Sequence, residues 1–304
     1  MLLFIVIFLV SLTVLLIASD KFVDSAENIG LAMGIPSFIV GVTIVAVGTS
    51  LPELATSLAG VFAGSSEVVI GNVVGSNITN ILLVIGATAV VGKGIQLDYD
   101  VMNTDMTKLI GSSLLLYFML LDGSLSKVEC LVMLAALTIF LASSFSVKNE
   151  DDEELPKLRP IDFVILAIAS VFIFLGAKYT IYGLENIATL LDVPTHIIAI
   201  TAVALGTSLP EVVVSITAAR KGKHAMAVGN VIGSNIFNTY AVMGISGLVA
   251  TGLAIPLDAI SVSIPFMIGV TILFAMSCLT KKITQYEGWL FLLFYAFFIG
   301  MSLQ

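Results

Sequence analysis

The chain has 304 residues, 58% of them hydrophobic and 11% charged, with a mean hydropathy of +1.10 and a formal net charge of −8. Soluble domains carry about 25% charged residues, so the composition excludes a soluble globular protein. With no basic platform it also excludes a nucleic-acid binder, and it predicts an all-α integral membrane protein.

Ten apolar runs read as transmembrane helices, near residues 2–19, 37–63, 68–91, 109–121, 128–147, 161–181, 195–219, 225–250, 259–279 and 287–303. Most approach the roughly 20 residues a spanning helix needs. The first run opens MLLFIVIFLV with no basic residue ahead of it and leads into Asp20-Lys21. A cleaved signal peptide starts with a positive segment, so this run is read as a retained helix. The fourth run is the shortest and needs Asn103 to Lys108 to reach across. Cys130 and Cys278 fall within predicted helices at a spacing that suits neither a disulfide nor a metal site, and are expected to be small buried apolar residues. His196 and His224 fall at helix ends, where an interfacial role is expected. Asp20, Asp24, Glu27 and Glu185 also lie near ends and are expected to be solvated, with Glu27 and Glu185 able to line an access funnel. Residues 148–160, KNEDDEELPKLRP, form the one strongly polar stretch and read as a solvated acidic linker between residues 1–147 and 161–304.

Lysines and arginines distribute unevenly over the ten-span plan. One side collects Lys21, Lys93, Lys108, Lys148, Lys157, Arg159, Arg220, Lys221, Lys223, Lys281 and Lys282, and the other only Lys127 and Lys178. Basic loops stay in the cytoplasm, which puts the larger group inside and both termini outside, in a multi-pass protein of the cell membrane.

The chain also repeats itself. GTSLPELATS at 48–57 recurs as GTSLPEVVVS at 206–215, and GNVVGSNITN at 71–80 recurs as GNVIGSNIFN at 229–238, both at an offset of 158 residues. Pro36 matches Pro194 and Glu27-Asn28-Ile29 matches Glu185-Asn186-Ile187 at the same offset, so the duplicated unit is a multi-helix segment. Five spans per half is an odd number. The second half therefore enters the membrane from the opposite side, giving two inverted-topology five-helix repeats related by a pseudo-two-fold axis in the membrane plane.

Each repeat carries a glutamate, Glu53 or Glu211, within apolar sequence, where a charge is costly and points to function. Pro52 and Pro210 lack an N–H and crowd the carbonyl four residues back, which predicts helix breaks around Gly48 and Gly206. Carbonyls freed at residues 46–49 and 204–207 must then line a cavity or meet an ion. Side chains of Thr49, Ser50 and Glu53, and of Thr207, Ser208 and Glu211, add further oxygens. Ser76, Asn77 and Asn80, with Ser234, Asn235 and Asn238, complete the set, and the i,i+4 spacing puts Ser76 and Asn80 on one face. Oxygen ligands without His or Cys favour calcium or sodium over transition metals, and magnesium is less suited because it keeps its waters. Gly71, Gly75, Gly229 and Gly233 have the small-residue spacing of close helix packing.

GTSLPE followed by GN-x-x-GSN-x-x-N, in two inverted copies spanning residues 48–80 and 206–238, resembles the alpha repeats of the sodium/calcium exchangers of the cation/calcium antiporter superfamily. The resemblance covers essentially the full length and implies a ten-helix prokaryotic member, with the linker in place of a large regulatory insert. It implies a central calcium site of Glu53 and Glu211 with the carbonyls of Thr49 and Thr207. It further implies flanking sodium sites, one of Glu53, Ser76, Thr49 and the Ala46 carbonyl, the other of Glu211, Ser234, Thr207 and the Ala204 carbonyl. Asn80 and Asn238 occupy the middle, where the potassium-dependent branch and some archaeal members carry an aspartate, so the amides argue against potassium cotransport. Asn72-Val73-Val74 and Asn230-Val231-Ile232 also depart from the GNA-x-E pattern of proton-coupled members.

The expected activity is secondary antiport of sodium against calcium by alternating access, with the alternative that protons replace sodium and the remote alternative of a passive cation channel. Two glutamates are neutralised by one calcium or carry one net charge with three sodium ions, so a three-for-one exchange would be electrogenic, at about 2.3 kcal/mol per 100 mV. The first and sixth spans lack ligand motifs and are the expected moving part. No HExxH, nucleophile elbow or phosphate loop is present, so no enzyme is expected. The partners are the two ions and the bilayer, no cofactor is implied, and one chain suffices for the site.

Overall fold

The computed structural model describes residues 1–97, 101–146, 157–191, 206–256 and 259–302. The helices are α1 Leu2–Ala32, α2 Ser37–Phe62, α3 Glu67–Val91, α4 Val101–Met119, α5 Lys127–Phe145, α6 Pro160–Leu190, α7 Leu209–Arg220, α8 224–249, α9 Ala259–Cys278 and α10 Gln285–Ser302. Six of them, α1, α2, α3, α5, α6 and α9, are individually long and apolar enough to cross a membrane. Their helical form follows from the solvent: hydrocarbon offers no partner for a backbone N–H or C=O, so each segment satisfies its own. Large apolar side chains such as Leu9, Ile17, Leu131, Ile139, Ile168 and Leu293 point outward, as a lipid-facing belt requires. α4 includes Asn103 to Lys108, as its length demanded. The acidic linker lies largely outside the described residues.

Two short ribbons show how far the repeat extends. Ile95–Gln96 pairs antiparallel with Lys282–Ile283, and Ser124–Leu125 pairs with Leu253–Ala254. Adding the 158-residue offset to Ile95 gives Leu253, and subtracting it from Ile283 gives Leu125, so one ribbon maps onto the other register for register. The pseudo-two-fold relation therefore holds well beyond the motif blocks, out to the ends of α3, α4, α8 and α9.

The centre of the protein is made by α2, α3, α7 and α8. Residues 226–243 of α8 are buried without interruption, against backbone of α2. A Cβ at Gly229 would run into the Phe38 carbonyl, and one at Gly233 into the Val42 carbonyl, while Gly41 of α2 sits as closely under Met226. Gly229 and Gly233 thus let two main chains touch, the packing role their spacing predicted, whereas for Gly71 and Gly75 that expectation is corrected: a Cβ at either would meet nothing within 4 Å, so no backbone packs against them. α5 and α10 cover α8 and α3 in symmetry-related positions, and α4 packs on α9.

Outside this centre α1 and α6 run along each other over most of their length. Gly176 seats Leu15, Gly183 seats Phe8, and the Thr180 hydroxyl donates to Ser11 Oγ at 3.0 Å. Both helices are 31 residues long and continue past the apolar runs read from sequence, so Asp20, Asp24, Glu27 and Glu185 are helical rather than loop residues.

The expected break at Gly48 is corrected. α2 runs through Gly48 and Pro52 without unwinding, and its irregularity lies one to two turns earlier, as a π-helical stretch at Gly41–Val45. A π turn inserts a residue and so re-aims the side chains after it without breaking the helix. In the second repeat Thr207 and Ser208 do form a turn, and α7 starts at Leu209 with Pro210 in its first turn.

Candidate functional site

Both glutamates are fully buried at the centre. Glu53 lies on α2 and Glu211 on the first turn of α7, and their charges are close enough to interact. The hydroxyls of Thr49 and Ser50 stand beside Glu211, so the carboxylate of one repeat is enclosed by the motif of the other. Thr49 Oγ1 lies 3.5 Å from Ser234 Oγ, and Ser76 Oγ lies 3.3 Å from Thr207 Oγ1, again an exchange across the pseudo-axis.

α3 and α8 cross through a reciprocal amide lattice. Asn77 Nδ2 donates to the Asn235 carbonyl at 3.3 Å, and Asn235 Nδ2 to the Asn77 carbonyl at 3.2 Å. Asn80 Nδ2 donates to Asn235 Oδ1 at 3.0 Å and Asn238 Nδ2 to Asn77 Oδ1 at 3.2 Å. Using the N–H groups in this way fixes the orientation of each amide and leaves the carbonyl oxygens of Asn80 and Asn238 uncommitted. π-helical stretches begin at those two residues, Asn80–Ile85 and Asn238–Val242, and locally rotate the helices about the site.

The outcome is a set of buried oxygens with no hydrogen-bond partner: both carboxylate oxygens of Glu53 and of Glu211, Oδ1 of Asn80 and of Asn238, and Oγ of Ser50. Burying an unpaired carboxylate costs several kcal/mol, and a neutral acceptor about 1–3 kcal/mol. So many oxygens of one kind, in symmetry-related pairs at the repeat interface, make a site that a hard cation would complete. Among the described residues no group of three or more His, Cys, Asp or Glu is placed to hold a metal ion, so at the site the carboxylates are supplemented by amides and hydroxyls rather than by further acids.

Of the other sequence-predicted residues, Ser208 is buried at the start of α7, and Gly206 and Thr207 are partly exposed. Ala46 is buried with its carbonyl accepting from Thr49 Oγ1 at 3.3 Å. Gly48 lies against the Phe22 ring of α1. Ala204, together with Pro194 and His196, lies outside the described residues. His224 is half-buried at the start of α8, and Cys130 and Cys278 are buried free thiols.

Sequence reasoning missed the supports. Asn72 Nδ2 donates to Ser57 Oγ at 2.8 Å and to the Glu53 carbonyl at 2.9 Å, and Asn230 Nδ2 donates to Ser215 Oγ at 3.0 Å while its Oδ1 accepts from Thr49 at 3.1 Å. Thr239 Oγ1 accepts from Asn77 at 3.1 Å. The signal for the first pair was present, since Asn72 with Ser57 and Asn230 with Ser215 keep the same spacing in the two repeats.

A cavity of about 410 Å³ borders the site on one face, bounded by Pro52, Pro210 and Thr207 next to the buried glutamates. Thr56, Lys178, Tyr182 and Glu185 are also among its walls, so Glu185 lines a cavity beside the motif residues. Glu27 and its neighbours Asp20 and Asp24 instead form ion pairs with Lys221 and Lys223.

Comparison with known proteins agrees with this architecture. The family model for sodium/calcium exchanger protein matches residues 3–146 and again 161–304, two stretches at the same 158-residue offset. The chain is 32% identical to the sodium/calcium exchanger MaX1 of Methanosarcina acetivorans, over 96% of each sequence. It is also 32% identical to the inner membrane protein YrbG of Escherichia coli, over 91% of this chain and 89% of that one. A solved structure of the sodium-calcium exchanger NCX_Mj superposes with a TM-score of 0.86 at 30% identity, covering 100% of this chain and 99% of that one. The chain therefore belongs to the sodium/calcium exchanger family, as a multi-pass membrane antiporter built from two inverted repeats.

Proposed function

We propose that the protein exchanges sodium for calcium at the buried site between the repeats. The observation that carries this reading is the set of unpartnered buried oxygens contributed by Glu53, Glu211, Asn80, Asn238 and Ser50. Calcium would be held by Glu53 and Glu211 with the main chain at Thr49 and Thr207. Sodium would occupy flanking positions, one using Glu53, Thr49, Ser76 and Ala46, the other Glu211, Thr207, Ser234 and Ala204. The close Thr49–Ser234 and Ser76–Thr207 approaches support such positions, because each brings hydroxyls of opposite repeats together.

Both ions depend on the same two carboxylates, so their binding is competitive and one must leave before the other loads. Three sodium ions would leave one net positive charge where one calcium leaves none, making the cycle electrogenic. Without either ion, two close carboxylates in low dielectric repel each other, and the site resists crossing while empty. Neutral amides at Asn80 and Asn238 keep the site at two formal charges, which suits a monovalent counter-ion in multiple copies. The basic loops favour both termini outside.

The reading is tested by calcium-45 uptake into proteoliposomes loaded with sodium, potassium or choline, with and without a pH gradient. Uptake that requires internal sodium is expected. Uptake driven by a pH gradient without sodium would place the protein in the proton-coupled branch instead.

A further inference from the structure

The two faces of the protein are related by the repeat, yet equivalent residues on them differ in exposure among the described residues. On the more open face the cavity walls include Thr56, Thr207, Lys178, Tyr182 and Glu185. Their counterparts at the 158-residue offset are Val214, Thr49, Asp20, Asp24 and Glu27. Val214 is 0% exposed and Thr49 1%, whereas Thr56 is exposed and Thr207 partly so. The second access path is thus present in outline and shut.

What stands over it has no counterpart on the open side. Lys221 Nζ lies 2.6 Å from Asp20 Oδ1 and 2.7 Å from Asp24 Oδ1, and donates to the Asp20 main-chain carbonyl at 3.2 Å. Lys223 pairs with Glu27 and, at 3.5 Å, with Asp24. The lysines sit in the short α7–α8 turn of the central cluster, and all three acids are on α1. The equivalents of Lys221 and Lys223 in the α2–α3 turn are Ala63 and Ser65, and the helix they face carries Lys178, Tyr182 and Glu185. Among the described residues no ion pair links that turn to α6. Partial burial pulls the Lys221 ammonium down, but the Asp20 and Asp24 carboxylates outweigh it and hold the group above its ordinary range, so it remains charged.

We propose that Lys221 and Lys223 form an ionic latch with Asp20, Asp24 and Glu27 that holds α1 against the central cluster and closes the second access path, and that alternating access requires the latch to open. It rests on the antiport reading for its purpose, but not on which ions cross. In the orientation proposed above the latch faces the cytoplasm. Single exposed ion pairs are weak, yet several acting between one helix and one turn bias a two-state equilibrium by about tenfold. Because the pairs exist on one face only, the latch also makes an otherwise symmetric machine rest with the opposite face open.

The test is thiol labelling with an impermeant maleimide from each side of the vesicle, in saturating calcium without sodium so that the loaded site can cross, with Cys130 and Cys278 replaced by serine. Val214→Cys reports the latched path and Thr56→Cys the open one. Combining Lys221→Met with Lys223→Met is expected to raise Val214→Cys labelling about tenfold and to lower that of Thr56→Cys. Exchanging the charges, with Lys221→Glu and Lys223→Glu against Asp20→Lys, Asp24→Lys and Glu27→Lys, is expected to return both rates towards the starting values. High choline chloride, which screens the pairs without mutation, is expected to act in the same direction as the methionines. Unchanged labelling of Val214→Cys in the methionine variant and in high salt would overturn the latch, and so would a charge exchange that labels as fast as the methionine variant. Neither reporter depends on whether sodium or protons drive calcium, so the latch and the exchange reading fail separately.

Discussion

The central cluster of α2, α3, α7 and α8 and the outer pair of α1 and α6 are both made of apolar helices, yet they cohere by different means. In the centre two main chains touch at Gly41, Gly229 and Gly233, and amides of Asn77 and Asn235 bond across the pseudo-axis to each other's backbone. Every such contact has one geometry, and sliding by even part of a turn would strand buried polar groups in low dielectric. Among the described residues the α1–α6 pair has two interhelical polar bonds, Thr180 to Ser11 and, at one end, Asn28 to Asp162, with glycines seating apolar side chains and much of its surface facing outward. Such a pair can keep its own shape while moving over its neighbours once the ion pairs that tie α1 to the α7–α8 turn open. The proposed exchange thus assigns ion coordination to the central cluster and access to the outer pair, the division an alternating-access transporter needs.

The largest effect is expected from Glu53→Gln or Glu211→Gln, which halves the site's charge: calcium-45 uptake should fall by more than about 100-fold, on the order of 3 kcal/mol of lost coordination. Gly233→Val attacks the rigidity of the centre directly. Its side chain must displace the Val42 carbonyl, and a cost of about 1–3 kcal/mol or more should appear as a lower thermal midpoint and reduced calcium binding together. Asn77→Ala removes a bridging amide and should weaken calcium binding by about tenfold, the worth of roughly one to two buried hydrogen bonds, measurable by equilibrium binding to purified protein. In the outer pair the expectation reverses. Joining α1 to α6 by a disulfide between Ser11→Cys and Thr180→Cys should leave exchange within about twofold, because the two helices travel together; loss of exchange would show that they slide past each other instead.

Much of this was legible in the sequence, for identifiable reasons. Spans and inversion were readable because hydrocarbon demands long apolar helices and because the 158-residue offset survives in both motif blocks. Glu53, Glu211, Asn80 and Asn238 stood out since polar groups persist inside apolar helices only when used. The π-helical stretches at 41–45, 80–85 and 238–242 were not readable: one extra residue per turn changes which way a side chain points but leaves composition and hydropathy untouched. Proline at 52 suggested a break at Gly48, but the helix runs through both residues, with the Phe22 ring of α1 packed against that glycine. The pairing of Lys221 and Lys223 with Asp20, Asp24 and Glu27 joins residues about 200 positions apart, and end-of-helix charges look solvated until α1 is known to extend to Ala32.

The central claim is that one buried site, built from both repeats, serves both ions in turn. Equilibrium calcium-45 binding to the purified protein, titrated with sodium at several calcium concentrations, tests it most directly. The account predicts that sodium raises the apparent calcium Kd without lowering the number of sites, that saturating calcium reverses the effect, and that Glu53→Gln abolishes calcium binding. Sodium that leaves the calcium Kd unchanged, or calcium binding of native affinity in Glu53→Gln, would contradict it.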